Sequence, residues 1–265
     1  MTTNGLNGKW ALILGASSGF GAATARELAR HGMHIIGVHL DRRSALAGVE
    51  ELVKALQDQG VHTHFFNVNA ADPLKRQEVL DRVQPELAGA PISVLLHSLA
   101  FGTLKPYLAS DPKEQLTKDQ MEMTLDVMAN SLVYWVQDLV GRKLLGKGSR
   151  VFAMTSAGGT RVWPTYGAVS AAKAALESHI RQLAMELAPY GATANAVRAG
   201  VTDTPALRKI PGNEQMMEFS KVRNPHRRLT APEDVAQAIA VLANAGADWV
   251  TGNTIGVDGG EDIVG

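Results

Sequence analysis

The stretch KWALILGASSGFGAATARELAR, residues 9–30, decides the fold of this 265-residue chain. Lys9 to Leu14 is an apolar run of strand length, Gly15, Gly19 and Gly21 follow it, and Ala22 to Arg30 reads as a helix. Strand, glycine turn and helix in that order make a phosphate cradle. Gly15 permits the tight turn, Gly19 lets the backbone approach a pyrophosphate, and Gly21 allows the helix to pack closely on the strand, its N-terminus facing the phosphates. The spacing is G-x-x-x-G-x-G, and Gly15, Ser17, Ser18, Gly19, Phe20 and Gly21 are the first candidate cofactor contacts.

From there to the end, strand-length apolar runs alternate with helix-length segments, the pattern of a parallel sheet with helices on both faces. Strands are predicted at Trp10–Leu14, His34–Leu40, His62–Asn67, Ile92–His97, Arg150–Thr155, Thr193–Val197 and Thr254–Val257. The expectation is a Rossmann-like, doubly wound α/β fold with a seven-stranded parallel sheet in one domain over 1–265. Asp72 before Pro73, and Pro232 before Glu233 and Asp234, mark helix starts. Thr204 to Thr230 is weakly periodic and interrupted by proline and glycine, and is read as a segment that covers the substrate.

Composition limits the chemistry. Hydrophobic residues make up 45% of the chain, which supports a substantial core, and 26 Lys plus Arg balance 26 Asp plus Glu. No net field favours nucleic acid or an anionic membrane surface. There is no cysteine, hence no disulfide, thiolate zinc site or cysteine nucleophile. The eight histidines show no metal-binding spacing, no metal is expected, and His97 is read as a structural residue at a strand end. MTTNGLNGKW lacks both the basic and the apolar region of a signal peptide, and no apolar stretch approaches a membrane span. A soluble cytoplasmic protein is expected.

The second informative stretch is YGAVSAAK, in which Lys173 follows Tyr166 by seven residues. Seven residues are about two helical turns, which places both side chains on one helix face. A hydride reductase needs a proton donor or oxyanion stabiliser at the substrate carbonyl, and a cation that holds the nicotinamide ribose and depresses the tyrosine pKa. Tyr166 and Lys173 supply these types.

These motifs together resemble the short-chain dehydrogenase/reductase superfamily. Its ketone-reducing and alcohol-oxidising members use Y-x-x-x-K, whereas here Ser170 stands where that lysine would be. The longer spacing resembles the enoyl-acyl-carrier-protein reductases. HSLAFG at 97–102 is similar to their H-S-I-[GA]-F, Met128 stands where ketoreductases keep a helix asparagine, and Ala199-Gly200 replaces the ketoreductase P-G. Many enoyl reductases carry a second tyrosine ten residues before the first, where this chain has Ser156. Serine combined with the long spacing resembles the smaller, NADPH-using type of enoyl reductase, as does AGVTDTPALRKIPG.

The resemblance implies hydride transfer from NADPH to a trans-2-enoyl thioester, with Tyr166, Lys173 and Ser156 as catalytic residues. It implies cofactor contacts from Asn69 and Ala70 at the adenine, from Ser98, Leu99 and Ala100 after the fourth strand, from Lys173, and from Gly200, Thr202 and Thr204 near the nicotinamide. At the end of the second strand, His39 stands where NAD-preferring relatives keep aspartate, with Asp41, Arg42 and Arg43 behind it. The two arginines favour a 2′-phosphate and thus NADPH, with NADH the alternative. Met216, Met217 and Phe219, with Trp163 and Tyr107, are candidates to line an acyl pocket. Arg208, Lys209, Lys221, Arg223, Arg227 and Arg228 form a basic stretch that fits either an acidic acyl carrier protein or plain solvation. A homotetramer is what the family implies. Ser156 keeps a ketoreductase as the alternative, and a cofactor-binding regulatory protein without turnover is a second.

Overall fold

The computed structural model describes residues 5–264; residues 1–4 and 265, the ends of the domain expected over 1–265, lie outside the described residues. Seven strands, β1 (Trp10–Leu14), β2 (His34–His39), β3 (Thr63–Asn67), β4 (Ile92–His97), β5 (Arg150–Ser156), β6 (Thr193–Ala199) and β7 (Thr254–Val257), form one sheet. Their order is β3-β2-β1-β4-β5-β6-β7, and every neighbouring pair is parallel. This is the doubly wound, Rossmann-like α/β domain expected. The chain order reverses between β1 and β4, which opens a crevice at their carboxyl ends.

The helices are α1 (Gly19–Arg30), α2 (Leu46–Gln57), α3 (Pro73–Val83), α4 (Lys118–Leu125), α5 (Ser131–Gly141), α6 (Gly167–Leu187), α7 (Asn213–Arg223) and α8 (Pro232–Ala243). One face of the sheet is covered by α1, α2 and α8, where Leu28, Leu52, Leu56, Val235 and Ile239 pack against Ala11, Ile13, Ile35, Leu96 and Val197. The other is covered by α3, α5 and α6, where Val79, Leu80, Trp135, Leu139, Leu176 and Ile180 meet Leu12, Leu14, Ile36, Leu95 and Val151. Coverage on both faces explains why WALIL is apolar at every position and not at alternate ones. Each such side chain withdrawn from water contributes roughly 1.5–3 kcal/mol.

Helix starts follow local chemistry. The Asp72 carboxylate accepts from the N–H groups of Leu74 and Lys75 ahead of α3, and that of Asp234 accepts from the Ala231 N–H at the start of α8. Four strand ends differ from the sequence reading. β2 stops at His39 because Leu40 leaves the sheet, 64% exposed, and β3 begins one residue late, at Thr63. β5 and β6 run on to Ser156 and Ala199, which are still in register with each other. The α4–α5 helix is interrupted by a π-turn at Asp126–Asn130, a distortion common near functional sites. Among the described residues no helix is long and apolar enough to cross a membrane.

Candidate active site

The carboxyl edge of the sheet opens into a cleft of ≈ 450 Å³. Its floor is the glycine turn, where Gly15 has φ +89 and an added Cβ would lie 2.4 Å from the Ser98 carbonyl oxygen. A Cβ at Gly21 would lie 2.0 Å from the Gly15 oxygen, so Gly21 sits beneath the turn and packs α1 onto it without lining the cleft. Ser18, the N-cap of α1, makes no side-chain cap bond. The first N–H groups of that helix are therefore available to an anion beside Gly15, Ser17, Ser18, Gly19 and Phe20, which do line the cleft. This cradle fits a dinucleotide pyrophosphate.

Further along the edge the cleft is walled by His39, Leu40 and Asp41, then by Val68, Asn69 and Ala70, then by Ser98, Leu99 and Ala100. His39 is buried, and its Nδ1 lies 2.9 Å from an Asp41 carboxylate oxygen. Asp41 and Asn67 exchange two hydrogen bonds, Asp41 N–H to Asn67 Oδ1 at 2.9 Å and Asn67 Nδ2 to the Asp41 oxygen at 3.0 Å. Asp41 thus replaces the expected arginines in the wall. Arg42 and Arg43 lie outside the cleft lining because the chain turns outward into a short 3₁₀ segment there, and both are exposed without an ion-pair partner among the described residues.

Two expected nicotinamide-end contacts also stand back from the cleft. Gly200 is wedged against Thr230 and Glu261, whose oxygens would lie 2.4 and 2.9 Å from an added Cβ. Thr202 is buried and donates its hydroxyl to the Gly200 carbonyl at 3.0 Å. Thr204 does reach the cleft, its Cγ2 3.5 Å from where a Gly19 Cβ would stand.

Tyr166, Lys173 and Ser156 meet at the other end of the cleft. Tyr166 is the N-cap of α6 and not part of the helix, a difference from the sequence expectation that still leaves it two turns before Lys173. Thr165 before it adopts φ +64, a left-handed conformation costly for a β-branched residue. Ser156 hydrogen-bonds the Tyr166 phenol and accepts from the Gly158 N–H at 3.2 Å. Burial pushes the phenol pKa up, with the Ser156 bond opposing, so the group is a neutral proton donor throughout the neutral range.

Lys173 is buried, and its ammonium donates to the Met154 carbonyl at 2.7 Å. Desolvation brings it down to about 8, with Glu177 opposing the fall. His97, wholly buried at the end of β4, is pushed down to about 3, first by desolvation and then by Lys173, and is neutral. Its Nε2 lies 2.9 Å from Ser131 Oγ, which in turn donates to the Val127 carbonyl of the π-turn. The strand-end role expected of His97 is thus that of a pin, holding the π-turn that presents Val127 and Met128 to the cleft.

The cleft is apolar beside Tyr166 and Lys173. Leu99, Leu104, Met123, Val127, Met128, Met154 and Val169 line it. Val169 occupies the position four before Lys173, and its Cγ2 lies 2.9 Å from where a Gly102 Cβ would stand, as does Met128 Sδ. The 204–230 segment contributes Pro205, Ala206, Lys209 and Ile210. It does not contribute Met216, Met217 or Phe219, because α7 turns these away, Phe219 being 68% exposed. Trp163 donates to the Pro211 carbonyl at 3.0 Å, tying the segment to the loop after β5, and Tyr107 packs on Gly167; neither lines the cleft.

The basic stretch is largely neutralised: Arg208 pairs with Asp203, Lys221 with Glu218 and Arg228 with Asp234. Arg223 is spent on the carbonyls of Asp262 and Val264. Thr155 and Ile210 on the cleft wall, and Glu177 behind Thr155, are residues that sequence reasoning missed; only the i+4 placement of Glu177 after Lys173 was a readable signal.

The family model described as Enoyl-(Acyl carrier protein) reductase matches residues 15–261. The chain belongs to this family of short-chain dehydrogenases/reductases. Among relatives, the reductase is 30% identical over 255 residues to 1-cyclohexenylcarbonyl-CoA reductase of Streptomyces collinus, covering 96% of this chain and 86% of the relative. It is equally 30% identical to the 3-oxoacyl-[acyl-carrier-protein] reductase of Pseudomonas aeruginosa, covering 96% and 98%. In structure it is similar to FabI from Candidatus Liberibacter asiaticus, with a TM-score of 0.85 at 26% identity over 98% of each chain. The NADH-dependent enoyl-[acyl-carrier-protein] reductase of Aquifex aeolicus shares the fold, with a TM-score of 0.85 at 24% identity over 98% of each chain. Equal identity to a 1-cyclohexenylcarbonyl-CoA reductase and a 3-oxoacyl-[acyl-carrier-protein] reductase means that the reductase's substrate must be argued from its own site.

Proposed function

We propose that this reductase reduces the double bond of a trans-2-enoyl thioester with NADPH. The observation that carries the reading is the reacting wall of the cleft. Val169 stands where the Y-x-x-x-K spacing would place a tyrosine, Met128 where ketoreductases keep an amide, and the one phenol among the described lining residues enters from the N-cap of α6. An apolar wall suits a C=C bond, which has no polar atom to satisfy, and the displaced phenol suits the thioester oxygen two atoms further along the conjugated system.

The bound dinucleotide would supply hydride to the β-carbon, held by the Gly15–Gly21 cradle and by Lys173. Negative charge then grows on the thioester oxygen, where the Tyr166 phenol donates a hydrogen bond that strengthens toward the transition state. Ser156 orients that phenol. Lys173 keeps the local field positive, and the enolate then takes a proton from solvent at its α-carbon, which completes the addition of hydride and proton. Pro205, Ala206 and Ile210 exclude water above the acyl chain, which is the covering role proposed for 204–230.

NADPH is favoured over NADH by charge. Two unpaired guanidiniums, Arg42 and Arg43, stand beside one carboxylate, Asp41, whose oxygen is already engaged by His39. Lys209 on the cleft wall suits a phosphate-bearing acyl carrier, on carrier protein or coenzyme A, as in fatty-acid-type biosynthesis. A cytoplasmic homotetramer completes the proposal; Trp249, 96% exposed, and Val241, 70% exposed, are large apolar groups left for a subunit contact near β7. Incubation with deuteride-labelled NADPH and a 2-enoyl thioester tests the chemistry. Deuterium at the β-carbon of a saturated product supports it, and recovery of the unchanged enoyl thioester refutes it.

A further inference from the structure

Lys173 poses an electrostatic problem that Tyr166, Ser156 and the cofactor cradle do not solve. Lys173 is 6% exposed, and its ammonium, with three donors, meets one protein acceptor, the Met154 carbonyl. A buried cation in that position tends to shed its proton unless a counter-charge holds it. The groups that face it from the packed elements give little help: His97 from β4 is neutral, Tyr166 at the N-cap of α6 is neutral, and β5 offers only the Met154 carbonyl and the Thr155 hydroxyl.

The exception is on its own helix. Glu177 follows Lys173 by one turn of α6 and shares its face. Thr155, 4% exposed near the end of β5, donates its hydroxyl to Glu177 Oε1 at 2.7 Å and fixes the carboxylate against the sheet. The turn at 157–159 closes over both groups: a Cβ at Gly159 would lie 3.5 Å from Glu177 Oε1 and 3.5 Å from Lys173 Cβ. A carboxylate held this way is a fixed negative charge one turn along α6 from Lys173.

We propose that Glu177, locked by Thr155, is a positioning residue for the reaction: it keeps Lys173 cationic at the pH where the enzyme works. The inference rests on the reading of Lys173 as the cation of the reductase site, and it is silent on which thioester is reduced. Among the described residues, Glu177 is the one carboxylate that acts on Lys173. Its effect on the Lys173 pKa opposes the desolvation that brings that group to about 8. Activity that needs the ammonium is present below the Lys173 pKa and lost above it, so removing Glu177 moves the alkaline limb of the rate profile to lower pH.

The test is the pH profile of kcat/KM for the wild type, Glu177→Gln and Glu177→Asp. The Gln amide can still accept from Thr155, so the packing is retained and only the charge is lost. The expected result is an alkaline limb that moves down by about one pH unit in Glu177→Gln, so that its deficit grows from under about twofold at pH 6 to about tenfold at pH 9. Glu177→Asp, with the charge kept but withdrawn, should fall between. A Glu177→Gln deficit that is uniform across pH, or no deficit, overturns the inference and leaves Glu177 a packing residue. Should the Gln variant fail to fold by circular dichroism, the Asp variant decides by the same limb. The profile is measured with whichever thioester is turned over, so a shifted limb with a ketoacyl substrate keeps this inference and sinks the enoyl reading. Full activity in Lys173→Met sinks the role of the cation itself.

Discussion

Gly158 is the point where a single methyl group should disable this site. A Cβ there would lie 2.5 Å from Tyr166 Cε1, 3.2 Å from Cδ1 and 3.2 Å from Ser156 Oγ. Ordinary carbon–carbon contact is about 3.5–4.0 Å, so in Gly158→Ala the ring must retreat by about 1 Å. A misplacement of about 1 Å in a group that must meet a developing oxyanion costs on the order of a hundredfold in rate. The overpacking itself should lower stability by about 1–3 kcal/mol. Steady-state kcat/KM with a 2-enoyl thioester, NADPH affinity by fluorescence titration and thermal midpoint read the three effects apart. The expected pattern is a loss of roughly a hundredfold in kcat/KM, NADPH affinity within about twofold, and a lower midpoint. Gly48→Ala is the control, since nothing lies within 4 Å of a Cβ there and the exposed helix should gain slightly. Wild-type kcat/KM in Gly158→Ala would show that the Tyr166 ring does not work from the position argued here.

Tyr166→Phe removes the hydrogen bond but not the ring, and should lower kcat by about two to three orders of magnitude with NADPH binding nearly intact; single-turnover kinetics measure it. Arg42→Ala with Arg43→Ala should weaken NADPH by roughly 1.5–3 kcal/mol per charged hydrogen bond lost and leave NADH unchanged, whereas Asp41→Asn should improve NADPH relative to NADH. Calorimetric titration with both cofactors decides, and equal losses would remove the phosphate-binding role.

Much of this architecture is legible in the sequence because it rests on local chemistry. Gly15 and Gly21 announce the turn through space that no Cβ can occupy, and the strands announce themselves as continuous apolar runs because both faces of the sheet are covered. Asp72 and Asp234 declare their helices by capping them. What stayed hidden depends on partners distant in the chain. The π-turn at Asp126–Asn130 is held by His97 through Ser131, 34 residues apart in sequence, and no local pattern signals it. The helix α7 is anchored by Arg223 on carbonyls near the C-terminus, so its apolar residues are not obliged to face the cleft, and Met216, Met217 and Phe219 do not line it. At the end of β2 the sequence offers Asp41 and two arginines side by side; only the Asn67 hydrogen bonds decide which of them faces the cleft.

Which bond is reduced is tested most directly by one ratio: kcat/KM for a trans-2-enoyl thioester against that for the 3-ketoacyl thioester of equal chain length and carrier, measured by NADPH oxidation at neutral pH. A phenol displaced to the N-cap of α6, in a cleft whose wall carries Val169 and Met128, predicts a ratio of at least about a hundred in favour of the enoyl substrate, or roughly 2.7 kcal/mol of transition-state stabilisation. A ratio below one, with the ketoacyl thioester the better substrate, would contradict the assignment.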